Sequence, residues 1–412
     1  MNCTRRGLLA LLSMTALGVS AAQAENWPGF RGPRGDGTSL EKGLPTRWSA
    51  TENVAWKVPI PGRGHASPVV WGDRVFVVSA VEERQERLLL CLDRRTGKTL
   101  WQQVVLKAPL EPIHELNSRA SSTPLTDGER VYVTFLDVDK MFVAAYDFQG
   151  RKVWEARPGP FASAHGYSSS PVLYKESVIV NGDHDGEGFL VALNRRTGAT
   201  VWKVARPNKT RSYCTPIIRQ VNGEPHLMMS GSKTVASYNP ENGALRWIMQ
   251  GPTEQFVAAP VYNGKYLFIT AGYPERHILA IRPDGKGDVT NTHVAWRTRR
   301  GCAYVPSPIL SGPYLLVVSD GGFVTCFNAE SGEVAWSERL PGGGHSASPV
   351  SSEGRVYFQS DRGVTTVIRP GKSFEVLATN ELGEETYASP VVSQKQLFLR
   401  GVKHLYCIGA SR

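Results

Sequence analysis

The sequence predicts an all-β protein, an eight-bladed β-propeller of four-stranded blades, on three observations. First, a small residue followed by proline opens a short apolar strand eight times, at Ser67-Pro68, Thr123-Pro124, Ser170-Pro171, Thr215-Pro216, Ala259-Pro260, Ser307-Pro308, Ser348-Pro349 and Ser389-Pro390. Successive prolines are 56, 47, 45, 44, 48, 41 and 41 residues apart. A period of roughly 40–50 residues made of short strands marks a radial architecture, not one compact core. Second, seven of the ten tryptophans recur at one position of the unit: Trp56, Trp101, Trp154, Trp202, Trp247, Trp296 and Trp336. Third, the two ends of the repeat are complementary fragments of one blade.

Repeat one displays the whole unit. Residues 67–70 form a first strand, Gly72-Asp73 a tight turn, and residues 74–80 a returning strand with the β-branched run Val75, Val77 and Val78. Residues 88–92 give a third strand. Asp93-Arg94-Arg95-Thr96-Gly97 then turns the chain, the Asp side chain accepting backbone N–H groups and the Gly adopting the left-handed conformation. Residues 98–104 make the fourth strand and carry Trp101. The turn-and-tryptophan pattern returns at 194–202, 239–247 and 328–336, and one residue shorter at 147–154. An insertion around 284–292 stretches it before Trp296, and repeat seven has Leu377 where the tryptophan would be. One indole per blade reads as packing between neighbouring sheets rather than as a ligand platform.

The last repeat has its proline strand and strands at 396–400 and 404–408, but no fourth strand. Asn53-Val54-Ala55-Trp56-Lys57-Val58 is an orphan fourth strand. Placed in the last blade, it closes the ring and removes the exposed sheet edges. This arrangement predicts Trp56 in one sheet with Leu397 and Tyr406. The chain thus divides into a signal peptide at 1–24, a leader at 25–52 and a propeller at 53–412.

The signal reading rests on Thr4-Arg5-Arg6, an apolar stretch over 7–22, and the small-x-small site Ala22-Gln23-Ala24. The stretch is short for a membrane span, so no transmembrane segment is expected after cleavage. The arginine pair resembles a twin-arginine signal, and Sec signals also carry such pairs. A periplasmic or extracellular protein starting near Glu25 is expected. The formal charge is +10, or +8 without residues 1–24. No dense basic run or basic-aromatic stripe accompanies it, which argues against nucleic acid as a partner.

Five cysteines follow the signal, an odd number for a disulfide framework. Cys91, Cys326 and Cys407 share a repeat position with Ala145, Ala192, Ser237, Ala280 and Val367, so they read as small buried apolar residues. Cys214 and Cys302 precede strand-opening prolines in different repeats and are open to pairing.

The pattern Ala/Cys-x-Asp/Asn-x-x-Thr-Gly-x-x-x-Trp, cleanest over 91–101 and 192–202, resembles the tryptophan-docking repeat of pyrroloquinoline-quinone-like (PQQ-like) β-propellers. The resemblance covers about residues 53–408. That group includes quinoprotein alcohol dehydrogenases and the propeller subunit of the outer-membrane barrel assembly machinery. The leader Trp27-Pro28-Gly29-Phe30-Arg31-Gly32-Pro33 looks like the opening of secreted, mostly uncharacterised members, and its Arg34-Gly35-Asp36 reads as a turn. The resemblance implies PQQ and calcium as the cofactors of an enzymatic member. Its dehydrogenases hold the quinone against a disulfide of adjacent cysteines, beside a calcium site and an aspartate base. This chain has no adjacent cysteines.

Strand counting puts the loops entering the proline strands, and those between second and third strands, on one face. This funnel face is where the chain departs most from its own repeat. Its candidate ligand-binding residues are His65, Asn117, Arg119, His165, Arg211, Tyr213, Gln255, Tyr304, His345 and Tyr387. Such a convergent set of imidazole, phenol, guanidinium and carboxamide groups suits a polar ligand. Asn181, Asp183 and Asp185, in the order Asn-x-Asp-x-Asp-Gly, resemble half of a calcium loop. The closing Glu of such a loop is replaced by Ala192, so a complete EF-hand-type site is not expected. No nucleophile elbow, phosphate-binding Gly loop or haem-attachment motif is present. The sequence therefore predicts an exported binding module for an envelope protein or a polar small molecule, with a PQQ- or cation-dependent oxidoreductase as the alternative.

Overall fold

Each blade is an antiparallel meander. The first is Val69–Trp71, Arg74–Val81, Glu86–Asp93 and Thr99–Lys107. The structure, a computed structural model, describes residues 24–410. Eight such sheets form the all-β, eight-bladed propeller that the repeat predicts. The cleavable signal expected at 1–24 lies outside the described residues except for Ala24. Among the described residues no helix is long and apolar enough to cross a membrane.

The ring closes as expected. Val54–Pro59 pairs antiparallel with His404–Ile408, which pairs with Gln396–Arg400, so Trp56, Leu397 and Tyr406 share a sheet. Strands from the two ends of the propeller region thereby complete blade eight.

The tryptophan column docks each blade onto the next. Every indole Nε1–H donates to a backbone carbonyl in the outer turn of the following blade. Trp56 reaches Arg94 (2.8 Å), Trp101 Phe148 (2.9 Å), Trp154 Arg195 (3.0 Å), Trp202 Pro240 (3.1 Å), Trp247 Pro283 (2.8 Å), Trp296 Ala329 (3.1 Å) and Trp336 Gly371 (3.0 Å). At five of the seven junctions, those of Trp56, Trp101, Trp154, Trp202 and Trp296, a turn glycine accepts the ring face. A Cβ on Gly198 would lie 2.6 Å from Trp154, and its φ of +73° is left-handed. Glycine is required there on both counts. Directly across the sheet from each indole sits the small-residue column, as in Cys91↔Trp101 and Ala192↔Trp202. Val367, the largest member, occurs where the facing residue is Ala378 and the blade has no docking tryptophan. The register corrects the expected position of the gap by one residue, from Leu377, which lies at the bulge, to Ala378. The gap follows from the closure: the next blade is the eighth, whose outer strand arrives from the other end of the propeller region, so no Thr-Gly turn stands there to receive an indole.

A second set of bonds encircles the channel. The N–H of Ser67 donates to the Thr123 hydroxyl (3.1 Å), Thr123 to Ser170 (3.0 Å) and Ser170 to Thr215 (2.9 Å). Ala259 donates to Ser307, Ser307 to Ser348 and Ser348 to Ser389, each at 2.9 Å. Ser67 Oγ closes the seam onto the Ser389 carbonyl at 2.9 Å. The step from Thr215 has no counterpart because Ala259 lacks a hydroxyl. The residue before each proline is thus small and usually hydroxylated because it links inner strands.

The leader is an ordered plug. Trp27, Leu44 and Trp48 are buried in the core shared by blades seven, eight and one. Thr38–Ser39 adds a parallel strand to Val350–Ser352, and Trp27 bridges Val70. Thr126 N–H donates to the Pro28 carbonyl (2.8 Å), and the buried Arg31 guanidinium donates to Pro308 O (2.7 Å) and Pro349 O (3.3 Å). These contacts lie along the inner strands and their hairpin turns, so the leader crosses the channel mouth opposite the funnel face. Arg34-Gly35-Asp36 is a turn within it: Arg34 pairs with Glu25 at 2.7 Å, and Asp36 accepts Thr38 N–H at 2.9 Å. The 284–292 insertion also has a structural role, with Gly287–Asp288 adding a parallel edge to the outer strand of blade four.

Two substitutions separate the two belts. Ser170→Ala leaves the Thr123 N–H unpaired and should cost about 1–3 kcal/mol. Gly198→Ala combines left-handed strain with a clash on Trp154 and should cost at least about 2 kcal/mol. Urea unfolding checks both, with unchanged midpoints as the contrary result.

Candidate functional site

The funnel face is fixed by carboxylates at the turns between second and third strands. Asp320 accepts the N–H groups of Tyr304 and Val305, both at 2.9 Å, and Asp361 accepts that of Ser346 at 2.7 Å. These bonds join the two loop classes expected to share this face. Sequence reasoning missed both aspartates, although Ser319-Asp320-Gly321-Gly322 and Ser360-Asp361-Arg362-Gly363 repeat a visible turn pattern. Burial pushes the Asp361 carboxyl up.

Five candidates fall into one group across blades three to six. His165 stacks on Tyr213 with ring centroids 6.3 Å apart, and Tyr213 Oη lies 3.1 Å from Ser163 Oγ. Tyr304 Oη donates to Gln255 Oε1 at 3.1 Å. The Tyr304 ring rests so closely on Gly272 that an added Cβ would lie 1.9 Å from it. Arg211 stands near enough to Tyr213, Tyr304 and His165 for its charge to act on each. Burial first, then Arg211, pushes the His165 imidazole down. His114, absent from the expected set, packs edge-on against His165 at 5.3 Å. Beside this group Leu116 and Tyr273 are 61% and 55% exposed.

His65 and Tyr387 form a second group, stacked at 4.5 Å across the junction of blades eight and one. Arg63 Nε donates to His65 Nε2 at 3.3 Å. Burial, then the charges of Arg63 and Arg400, push the His65 imidazole down to about 3. His345 is apart from both groups, 1% exposed, with Nδ1 3.1 Å from the Gly343 carbonyl.

Two other candidates serve the loops themselves. Asn117 Nδ2 donates to the His165 carbonyl at 2.7 Å while its Oδ1 accepts Ser118 N–H and the Ser121 hydroxyl. Arg119 is held by the Glu111 carbonyl (2.8 Å) and by Glu82 (2.7 Å).

The side chains of the half calcium loop have partners within the protein. Asp183 is buried in an ion pair with Arg206 at 2.8 Å, Asp185 pairs with Arg211 at 2.6 Å, and Asn181 bonds the Asp183 N–H and the Cys214 carbonyl. Arginines brought in by the next strand and loop satisfy the oxygens that a cation would need. Among the described residues no group of three His, Cys, Asp or Glu side chains is placed to hold a metal ion. The pairing left open for Cys214 and Cys302 does not form: both are free and buried, their thiols pushed up to about 11 by burial. The described residues therefore do not fit PQQ as the resemblance would have it held: the chain has no adjacent cysteines, and among the described residues no carboxylate cluster forms a calcium cage.

His65 gives a pH test with a definite sign. Its folded value lies below the unfolded value of about 6.5, so its contribution is complete above about pH 6.5 and is lost as the unfolded chain takes up a proton below it. The native imidazole should show no titration between pH 5 and 8 by NMR. A midpoint near 6.5 would contradict the burial described.

The comparisons with known proteins agree with this architecture. No curated protein matches the chain. Among solved structures, BamB from Moraxella catarrhalis is 13% identical with a TM-score of 0.62, covering 87% of this chain and 98% of its own. A europium-containing methanol dehydrogenase is 13% identical with a TM-score of 0.65, covering 92% and 90%. Quinohemoprotein alcohol dehydrogenase from Comamonas testosteroni is 13% identical with a TM-score of 0.66, covering 94% and 81%. At such identity these likenesses show the fold alone. The profile of one family, described as outer membrane protein assembly factor BamB, matches residues 41–135, 84–299 and 288–371. With most of the propeller matched and each docking indole in place, the chain belongs to that family of PQQ-like propellers.

Proposed function

We propose that this chain is an exported binding module, periplasmic or extracellular, that engages an envelope protein through its funnel face. The observation that carries the reading is the group formed by His165, Arg211, Tyr213, Gln255 and Tyr304, edged by the exposed Leu116 and Tyr273. Aromatic and arginine side chains on a fixed frame are what protein-recognition hot spots are made of. The leader occupies the other mouth, which leaves the funnel face as the accessible end of the channel. A polar small molecule that uses the same phenols and guanidinium is the related reading.

The oxidoreductase reading draws support from the dehydrogenase neighbours, whose likeness is one of fold. The cysteine and carboxylate arrangement described above does not favour it.

Crosslinking of the exported protein in an envelope extract should recover a defined partner. Arg211→Ala combined with Tyr213→Ala should lower recovery at least about tenfold. Equal recovery would move the interface elsewhere. Titration of the purified protein with PQQ, with and without calcium, should give no saturable binding. Tight binding with alcohol-dependent dye reduction would establish the oxidoreductase reading instead.

A further inference from the structure

The leader contains a buried carboxylate with no cation beside it. Glu41 is 6% exposed, and its oxygens accept the backbone N–H groups of Gln394 (2.9 Å) and Lys395 (3.2 Å) at the inner hairpin turn of blade eight. Its Oε1 also accepts the backbone nitrogen of Glu25 at 2.7 Å. Among the described residues no Lys, Arg or His side chain pairs with it, although Arg34 stands nearby on the Glu25 carboxylate at 2.7 Å. Carboxylates withdrawn from water are ordinarily paired with a countercharge. The Glu25 nitrogen would supply one if it were a chain terminus, and Glu25 directly follows the small-x-small stretch Ala22-Gln23-Ala24.

We propose that cleavage between Ala24 and Glu25 is a maturation step as well as an export step, creating an α-ammonium that ion-pairs with Glu41 and locks the leader onto blade eight. The inference rests on the export-signal reading of residues 1–24 and not on the partner reading. Hydrolysis adds one water across the peptide bond, leaving a carboxylate on Ala24 and an ammonium on Glu25. Before cleavage the same nitrogen is a neutral amide donor to the carboxylate; afterwards both partners are charged, so a Coulombic attraction is added to the hydrogen bond. The geometry is held independently of the new charge. The Glu25 carboxylate also accepts Ser39 Oγ (2.9 Å) and Leu40 N–H (2.8 Å), while its carbonyl accepts Ser393 Oγ (2.6 Å). Ala24 is exposed, which leaves the scissile bond at the surface.

The test compares two forms of the chain starting at Glu25, with a free amine or an Nα-acetyl group, each with and without Glu41→Gln. Acetylation removes the charge while keeping an N–H donor. At pH 6.5 and low salt, the free form should melt roughly 1–3 °C above the acetylated form, and Glu41→Gln should abolish the difference. Coincident melts with Glu41 intact, or a difference that survives Glu41→Gln, would overturn the proposal. Should Glu41→Gln prevent folding, the native α-amine titration decides: a value above the ordinary ~8 is expected, and one at or below it overturns the pair. Mass spectrometry of the exported protein should find Glu25 as the first residue, and any other terminus would also overturn it.

Discussion

Eight sheets that share no strands make a single body only if each is fastened to the next, and here the fastening is a hydrogen bond from an indole to a neighbour's turn. At five of the seven junctions three features recur together. A glycine in left-handed conformation receives the ring face, a small residue opposite leaves room for it, and a carbonyl in the turn accepts its proton. The hydroxyl links around the channel repeat the principle at the inner radius. With both belts engaged, a blade is held at its outer and inner edges, and contacts are made almost wholly between sequential neighbours. The seam between blades seven and eight departs from the rule, and the leader covers it. Trp48 stacks against Tyr357 while its backbone N–H donates to Asn380 Oδ1, which ties the leader to the outer strand of blade seven.

The leader also gives the ring two different ends. Arg31 reaches the carbonyls of Pro308 and Pro349 from one side, whereas the histidine, tyrosine and arginine groups stand on the other. Rigid belts beneath the funnel loops mean that those side chains are presented on strand ends and braced turns. Asp320 and Asp361 serve that end by satisfying loop N–H groups that would otherwise need water. Recognition by such a face requires little ordering on binding, which favours affinity from a small number of aromatic and arginine contacts.

What was legible in the sequence was what repeats. Proline, turn glycine and tryptophan each recur at a fixed offset, and so the blade number, the closing strand and the shared sheet of Trp56, Leu397 and Tyr406 could be read directly. The leader occurs once, so no period revealed that Trp27, Arg31 and Trp48 would be buried. The partners of the half calcium loop were not legible for a related reason. Oxygens at alternate positions are visible along the chain, but Arg206 and Arg211, which neutralise Asp183 and Asp185, arrive through the fold. Asn117 and Arg119 have the chemistry of ligand contacts and were counted as such, yet their bonds fasten loops. Side-chain type showed where polar groups gather on the funnel face; topology determined which of them were already satisfied.

The central claim is that the two belts and the closing strand make the ring one cooperative unit. Native-state hydrogen exchange followed by mass spectrometry tests it most directly. The account predicts that Val54–Pro59 and His404–Ile408 exchange with the same opening free energy as the inner strands of the other blades. Earlier, independent exchange of Val54–Pro59 would show a ring that opens at its seam and would contradict the account.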